Sequence, residues 1–110
     1  MDELGTSIVR FTRALSSDKR LTILQWLSEP TEHFAPQRDG DLVDDGVCLG
    51  AIVRKIGLKQ PSVTGHMKVL VAAKLVSSKN IKNWVFYKLE EDSIRLALGQ
   101  LEKALRVHSK

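Results

Sequence analysis

The run Gly57-Leu58-Lys59-Gln60-Pro61-Ser62-Val63-Thr64-Gly65-His66-Met67-Lys68-Val69-Leu70 decides the fold. Glycine readily takes the left-handed conformation that closes a helix, and proline, with its φ already fixed, suits the first turn of the next one. Gly57 to Pro61 therefore reads as a tight turn between two helices. Before it, Leu49, Ile52, Val53 and Ile56 share one helical face, with Asp44 or Asp45 placed to cap that helix. After it, Val63, Met67, Leu70 and Val71 form a second buried stripe, and the other face shows Ser62, Thr64, Gly65 and Lys68.

Downstream, Leu75 to Lys79 and Trp84 to Leu89 are two β-like runs around Asn80-Ile81-Lys82-Asn83, where asparagine tolerates positive φ. Glu91-Asp92-Ser93 supplies a cap and first-turn acids for a last helix bearing Ile94, Leu98, Leu101 and Leu105 on one face. Upstream, Leu4, Ile8, Phe11 and Leu15 outline a first helix ending near Ser16 and Ser17, either of which can cap a second. That second helix, from Asp18 to Ser28, carries Leu21, Leu24 and Leu27 with Ile23 and Trp26 alongside, and Glu29-Pro30 stops it. Residues 29 to 46 read as a loop longer than helix connections usually are, which marks either function or disorder. The expected fold is mainly α with a small β-hairpin, a winged helix-turn-helix in one domain spanning residues 1–110.

Charge is segregated along the chain. Between Gly46 and Leu89 stand Arg54, Lys55, Lys59, Lys68, Lys74, Lys79, Lys82 and Lys88 without one Asp or Glu, while Glu29, Glu32, Asp39, Asp41, Asp44 and Asp45 crowd the preceding loop. The net charge of +4 is modest, so its distribution carries the information. A single cysteine, Cys48, excludes an intramolecular disulfide, and the lack of an apolar leader or long apolar run predicts a cytoplasmic chain without a membrane partner. No phosphate-cradling glycine loop, His-Glu-x-x-His or nucleophile set is present, so catalysis is not expected.

A helix exposing short polar side chains can lie deep in the major groove of double-stranded DNA. Gln60, Ser62, Thr64 and Gly65 meet that need. Neither Lys59 nor Gln60 accepts helix amides as Ser or Asp would, which leaves those donors for a phosphate. Lys79, Lys82 and Asn83 at the hairpin tip are placed to straddle a neighbouring backbone or minor groove, and Lys68 and Lys74 add field. The competing reading is a winged-helix protein-interaction module whose lysines are an ordinary solvated face.

These residues resemble the ArsR/SmtB family of bacterial winged-helix repressors. The run from Leu58 to Leu70 is similar to the family's Leu-Ser-Gln-Pro-Thr-Val-Ser-x-His-Leu-x-x-Leu recognition helix. Lys74-Leu75-Val76 and Trp84-Val85-Phe86-Tyr87 match its following step and wing strand, and Asp18 to Leu24 resembles its second helix. The resemblance implies a homodimer held by the first and last helices through Leu4, Ile8, Phe11, Leu98, Leu101 and Leu105. It also implies a near-palindromic operator released on an effector signal. Lys59 replaces the family's cap serine, and Lys82 falls near its wing glycine. The metal sensors' Cys-x-Cys becomes Cys48-Leu49-Gly50, and their last-helix zinc pattern is missing, with His108 alone near the end.

Four further groups have two readings each. His66 can donate to DNA or be a half-buried residue bonding a neighbour. Cys48 can be a thiol sensor, with His33 as a second metal ligand, or a small buried hydrophobe. The loop acids can hold a hard cation or be a solvated loop with a helix cap. Trp84, Phe86 and Tyr87 can stack bases, but strand alternation favours turning Trp84 and Phe86 into the core. No cofactor and no metal is expected, since the thiolate pair is incomplete, and the effector stays unidentified.

Overall fold

The chain, described by a computed structural model over residues 3–107 (side chains of residues 3, 4 and 6 excepted), is built on helices. In order these are α1 Glu3–Leu15, α2 Asp18–Ser28, a short α3 Pro30–His33, strand β1 Val47–Cys48, α4 Leu49–Ile56, α5 Gln60–Ala72, strands β2 Val76–Ile81 and β3 Trp84–Leu89, and α6 Glu91–Ala104. The expectations placed on the Leu4 side chain and on His108 fall outside the described residues.

Local chemistry accounts for the boundaries. The Ser17 hydroxyl accepts from the Arg20 amide at 3.2 Å, capping α2, and Gly57 at φ 75° ends α4 with its amide on the Val53 carbonyl. Pro61 sits in the first turn of α5. The hairpin turn is tighter than the expected four residues. Ile81 pairs with Trp84, and only Lys82 and Asn83 lie between them, at φ 49° and 69°, the left-handed pair of a type I′ connection that matches strand twist.

Val63, Met67 and Leu70 of α5 meet Ile23 and Leu27 of α2, Ile52 of α4, and Leu75, Val76 and Tyr87 around the sheet. Each fully buried aliphatic contributes about 1.5 to 3 kcal/mol, and α5 alone inserts three. Helix α5 is thus held by the same stripe that leaves its polar face outward.

Five expectations need correction. The sheet has three strands in the order β1-β3-β2, because Val47 and Cys48 pair with Tyr87 and Phe86, so α4 starts at Leu49 with Cys48 as its N-cap residue and neither Asp44 nor Asp45 caps it. The N-cap of α6 is Glu90 without a side-chain bond, whereas Glu91 and Asp92 stand in its first turn as expected and pair with Arg95 at 2.9 and 3.1 Å. Leu21 faces solvent while Ile23 and Leu27 carry the burial of α2. Trp84 is 55% exposed, because Phe86 and Tyr87 are both buried and simple alternation fails in β3. Phe11, only 3% exposed, belongs to the protomer's own core and has little surface left for a second copy.

The long loop is ordered by its own polar groups. Gln37 Nε2 donates to the Gly46 carbonyl at 2.9 Å, and Gln37 Oε1 accepts from the Cys48 amide at 2.7 Å, closing the base. The Asp41 carboxylate accepts from the amides of Val43 and Asp44, and the Asp45 carboxylate accepts from that of Asp41, a reciprocal cap across one turn. Leu42 is buried beneath it.

Candidate nucleic-acid interface

The outward face of α5 presents Gln60, Pro61, Ser62, Gly65 and Lys68 to solvent, with Thr64 half-buried at its edge. Gln60, Pro61, Thr64, Gly65 and Lys68 line one shallow surface cleft. Lys59 at the N-cap makes no side-chain bond to the helix, so the first amides of α5 are uncapped by any side chain. A Cβ at Gly65 would meet nothing within 4 Å, so no packing within the protomer requires the glycine. Glycine inside a helix costs about 1 kcal/mol against alanine, a cost that calls for an external reason such as close approach by a partner.

His66, on the side of α5 nearer α2, bonds Arg20. Arginine has only donors, so Arg20 Nη1 donates to His66 Nδ1 at 3.1 Å and the imidazole accepts. The same guanidinium donates through Nε to the Ala14 carbonyl at 2.7 Å and through Nη2 to the Arg13 carbonyl at 3.0 Å. One side chain thereby satisfies the end of α1 and sets the position of α5. Arg20 lies inside the run from Asp18 to Leu24, where no local pattern marks this role.

At the wing, Lys79, Lys82 and Asn83 are exposed, but both lysines are engaged by the loop. Lys79 Nζ lies 2.6 Å from Asp45, and Lys82 Nζ 3.3 Å from Asp39. The hydrogen bond from Lys79, reinforced by the Asp41 amide, holds the Asp45 carboxyl below its usual 3.8. A carboxyl lowered in this way contributes its stabilisation above the ordinary carboxylate range and loses it only as pH falls through the lowered value, so the contact is present at neutral pH. Lys59 and Lys68, by contrast, have no carboxylate partner among the described residues.

If the loop competes with phosphate for the wing, Asp39→Asn with Asp45→Asn should raise affinity for random-sequence duplex roughly 2- to 10-fold at low salt, the advantage shrinking as salt screens it. Fluorescence anisotropy at 50 and 300 mM salt measures this. Unchanged affinity at low salt would mean that the pairs do not oppose DNA.

Among the described residues no three His, Cys, Asp or Glu side chains converge as a metal site. Cys48 is half-buried and His33 exposed, and both border one pocket beside α4. Helix α1 packs against α6 as well as against α2 and α5. Ile94, Ala97 and Leu101 of α6 lean on the core, while Leu96, Leu98 and Leu105 are 64%, 51% and 66% exposed. Leu98 and Leu105, seven residues apart, stand on one line beside that packed stripe. Ile8 is half-buried in α1.

No protein-family model matches the chain. It is 38% identical over 82 residues to the HTH-type transcriptional regulator YbzH of Bacillus subtilis, covering 74% of this chain and 82% of that protein. Among solved structures, NolR from Sinorhizobium fredii superposes with a TM-score of 0.59 at 27% identity, covering 91% of this chain and 85% of that one. The ArsR family regulator RHA00566 does so with 0.65 at 12% identity, covering 99% and 100%. The homodimeric winged helix-turn-helix DNA-binding domain of Mb0332 from Mycobacterium bovis gives 0.65 at 22%, covering 97% and 90%. The last two likenesses are of fold. Among the described residues no helix is long and apolar enough to cross a membrane.

Proposed function

Because the chain belongs to the HTH-type transcriptional regulators, with the winged helix-turn-helix fold found in ArsR-family members, and is not an enzyme, we propose that it represses transcription by binding duplex DNA as a homodimer. The operator is near-palindromic, and an effector releases it. The observation that carries this reading is the outer face of α5, where short polar side chains and an uncapped N-terminus lie together inside a stretch free of acids. In the complex Gln60, Ser62 and Thr64 read base edges, Gly65 permits close approach, and the α5 amides, Lys59 and Lys68 hold phosphate. His66 acts from the side, fixing α5 through Arg20. Lys79, Lys82 and Asn83 reach the flanking backbone once the loop carboxylates yield them.

A second copy joins along α1 and α6. Leu98 and Leu105 leave an apolar line uncovered in the protomer, and Mb0332, of the same fold, is a homodimer. A two-fold dimer places its two reading helices about one DNA turn, roughly 34 Å, apart.

Readout and anchoring separate by substitution. Gln60→Ala or Thr64→Ala should lose about 1 to 3 kcal/mol on the cognate duplex and relax specificity, whereas Lys68→Ala should weaken all duplexes alike and lower the salt slope by about one. Anisotropy titrations on cognate and scrambled duplexes decide. Equal losses on both from all three changes would contradict base reading by α5 and favour a module that binds protein.

A further inference from the structure

Beside α4 lies an open pocket of about 600 Å³, within the size range of small-molecule sites, and neither the fold nor the DNA-facing surface uses it. Its walls come from three separate parts of the chain: the loop after α3, the outer side of α4, and the start of β3. The aromatic wall is Phe34 and Trp84, with the buried Phe86 behind them, and the cations on the lining are Arg38, Arg54 and Lys55. Lys55 Nζ stands 5.0 Å from the ring centre of Trp26 and 5.8 Å from that of Phe34, which holds it over the apolar wall. None of the three cations has a carboxylate partner among the described residues, and the one acid on the lining, Asp39, is turned to Lys82.

An aromatic-walled hollow with three unneutralised cations and a single committed acid is complementary to one chemical class. We propose that this pocket binds a flat organic anion, an aromatic carboxylate, with its ring against Trp84 and Phe34 and its carboxylate on Arg38 and Arg54. Arginine presents paired donors that match a carboxylate, and the apolar walls strengthen that bond by limiting water. Phosphate of a duplex would find the same cations, but a concave site with two accessible aromatic rings suits a ring-bearing ligand better than a ridge of sugar and phosphate. The concavity also explains the exposure of Trp84, which a simple core role does not.

Calling such a ligand the effector rests on the regulator reading above; its binding does not. The position suits that role, since one ligand would touch the first helix of the helix-turn-helix, the wing strand, and Arg38, whose neighbour Asp39 holds Lys82.

The test is isothermal titration of the DNA-free protein with 2-naphthoate. Saturable binding at one site per protomer is expected, roughly tenfold or more weaker for uncharged 2-naphthamide, and roughly tenfold weaker for naphthoate with Arg38→Ala or Arg54→Ala. Trp84→Ala should also weaken it, while Lys103→Ala on α6 should leave it unchanged. No saturation, equal affinity for the amide, or indifference to both arginine changes would overturn the proposal. If naphthoate fails while Arg38→Ala and Arg54→Ala weaken duplex binding, the cations belong to the phosphate surface instead. Because no DNA enters the titration, its failure leaves the DNA-binding reading standing, and failure of that reading leaves the pocket intact.

Discussion

Leu98→Glu combined with Leu105→Glu is expected to convert the dimer into a monomer and weaken binding to a cognate duplex by roughly a thousandfold or more. Both leucines are more than half exposed in the protomer, so the fold itself loses little when they change. In a two-fold dimer each would face apolar surface of the other copy, and four carboxylates buried there without partners cannot be tolerated. A lone protomer reaches only one half-site, and the gap between specific dimer binding and nonspecific binding is on the order of 10³ to 10⁷. Sedimentation equilibrium and anisotropy on the same samples check both parts. A double variant that stays dimeric, or binds the cognate duplex as the unchanged protein does, would remove α6 from the interface.

Gly46→Ala should lower the melting temperature by roughly 12 to 24 °C, far more than Gly57→Ala. Gly46 has φ 106°, a conformation that side chains rarely adopt, and an added Cβ would fall inside contact distance of the Tyr87 carbonyl oxygen and carbon. The strand β3 cannot retreat without breaking its pairing on both sides. Strain and displacement together cost about 3 kcal/mol, and a domain of this size loses roughly 4 to 8 °C per kcal/mol. Gly57 also has positive φ, at 75°, but its Cβ would enter open space, so only the backbone cost of about 1 kcal/mol applies. Thermal unfolding followed by circular dichroism measures both. Equal shifts would show that the loop does not press on β3.

The parts of the fold set by neighbours in sequence were legible. Gly57 and Pro61 announce the turn, Ser17 caps α2 as its chemistry requires, and the stripe Val63, Met67, Leu70 is buried as its spacing dictates. What escaped depends on residues distant in sequence. Strand β1 is two residues long, too short for any alternation to show, and exists only because β3 offers an edge. Trp84 stands at the hairpin end of β3, where it borders the pocket beside α4 and not the core.

The same limit holds for the interface. The polar face of α5 follows from helical spacing alone, so Gln60, Ser62, Thr64 and Lys68 could be named from the sequence. The engagement of Lys79 by Asp45 and of Lys82 by Asp39 spans 34 and 43 residues, and no local pattern encodes it. Segregation of acids before a basic stretch was the available signal, and it gave the sign of the interaction without the partners. Arg20 sat in plain view at the start of α2, yet its bonds to His66 and to two carbonyls of α1 needed three helices to be placed first.

The central claim, that a dimer reads duplex DNA through α5, is tested most directly by selection from a library of random-sequence duplexes, with Gln60→Ala run in parallel. Enrichment is expected of an inverted repeat whose half-sites are about one helical turn apart, bound by two protomers, with the preference at one position per half-site relaxed in Gln60→Ala. Enrichment of no sequence, or an identical preference from both proteins, would contradict it.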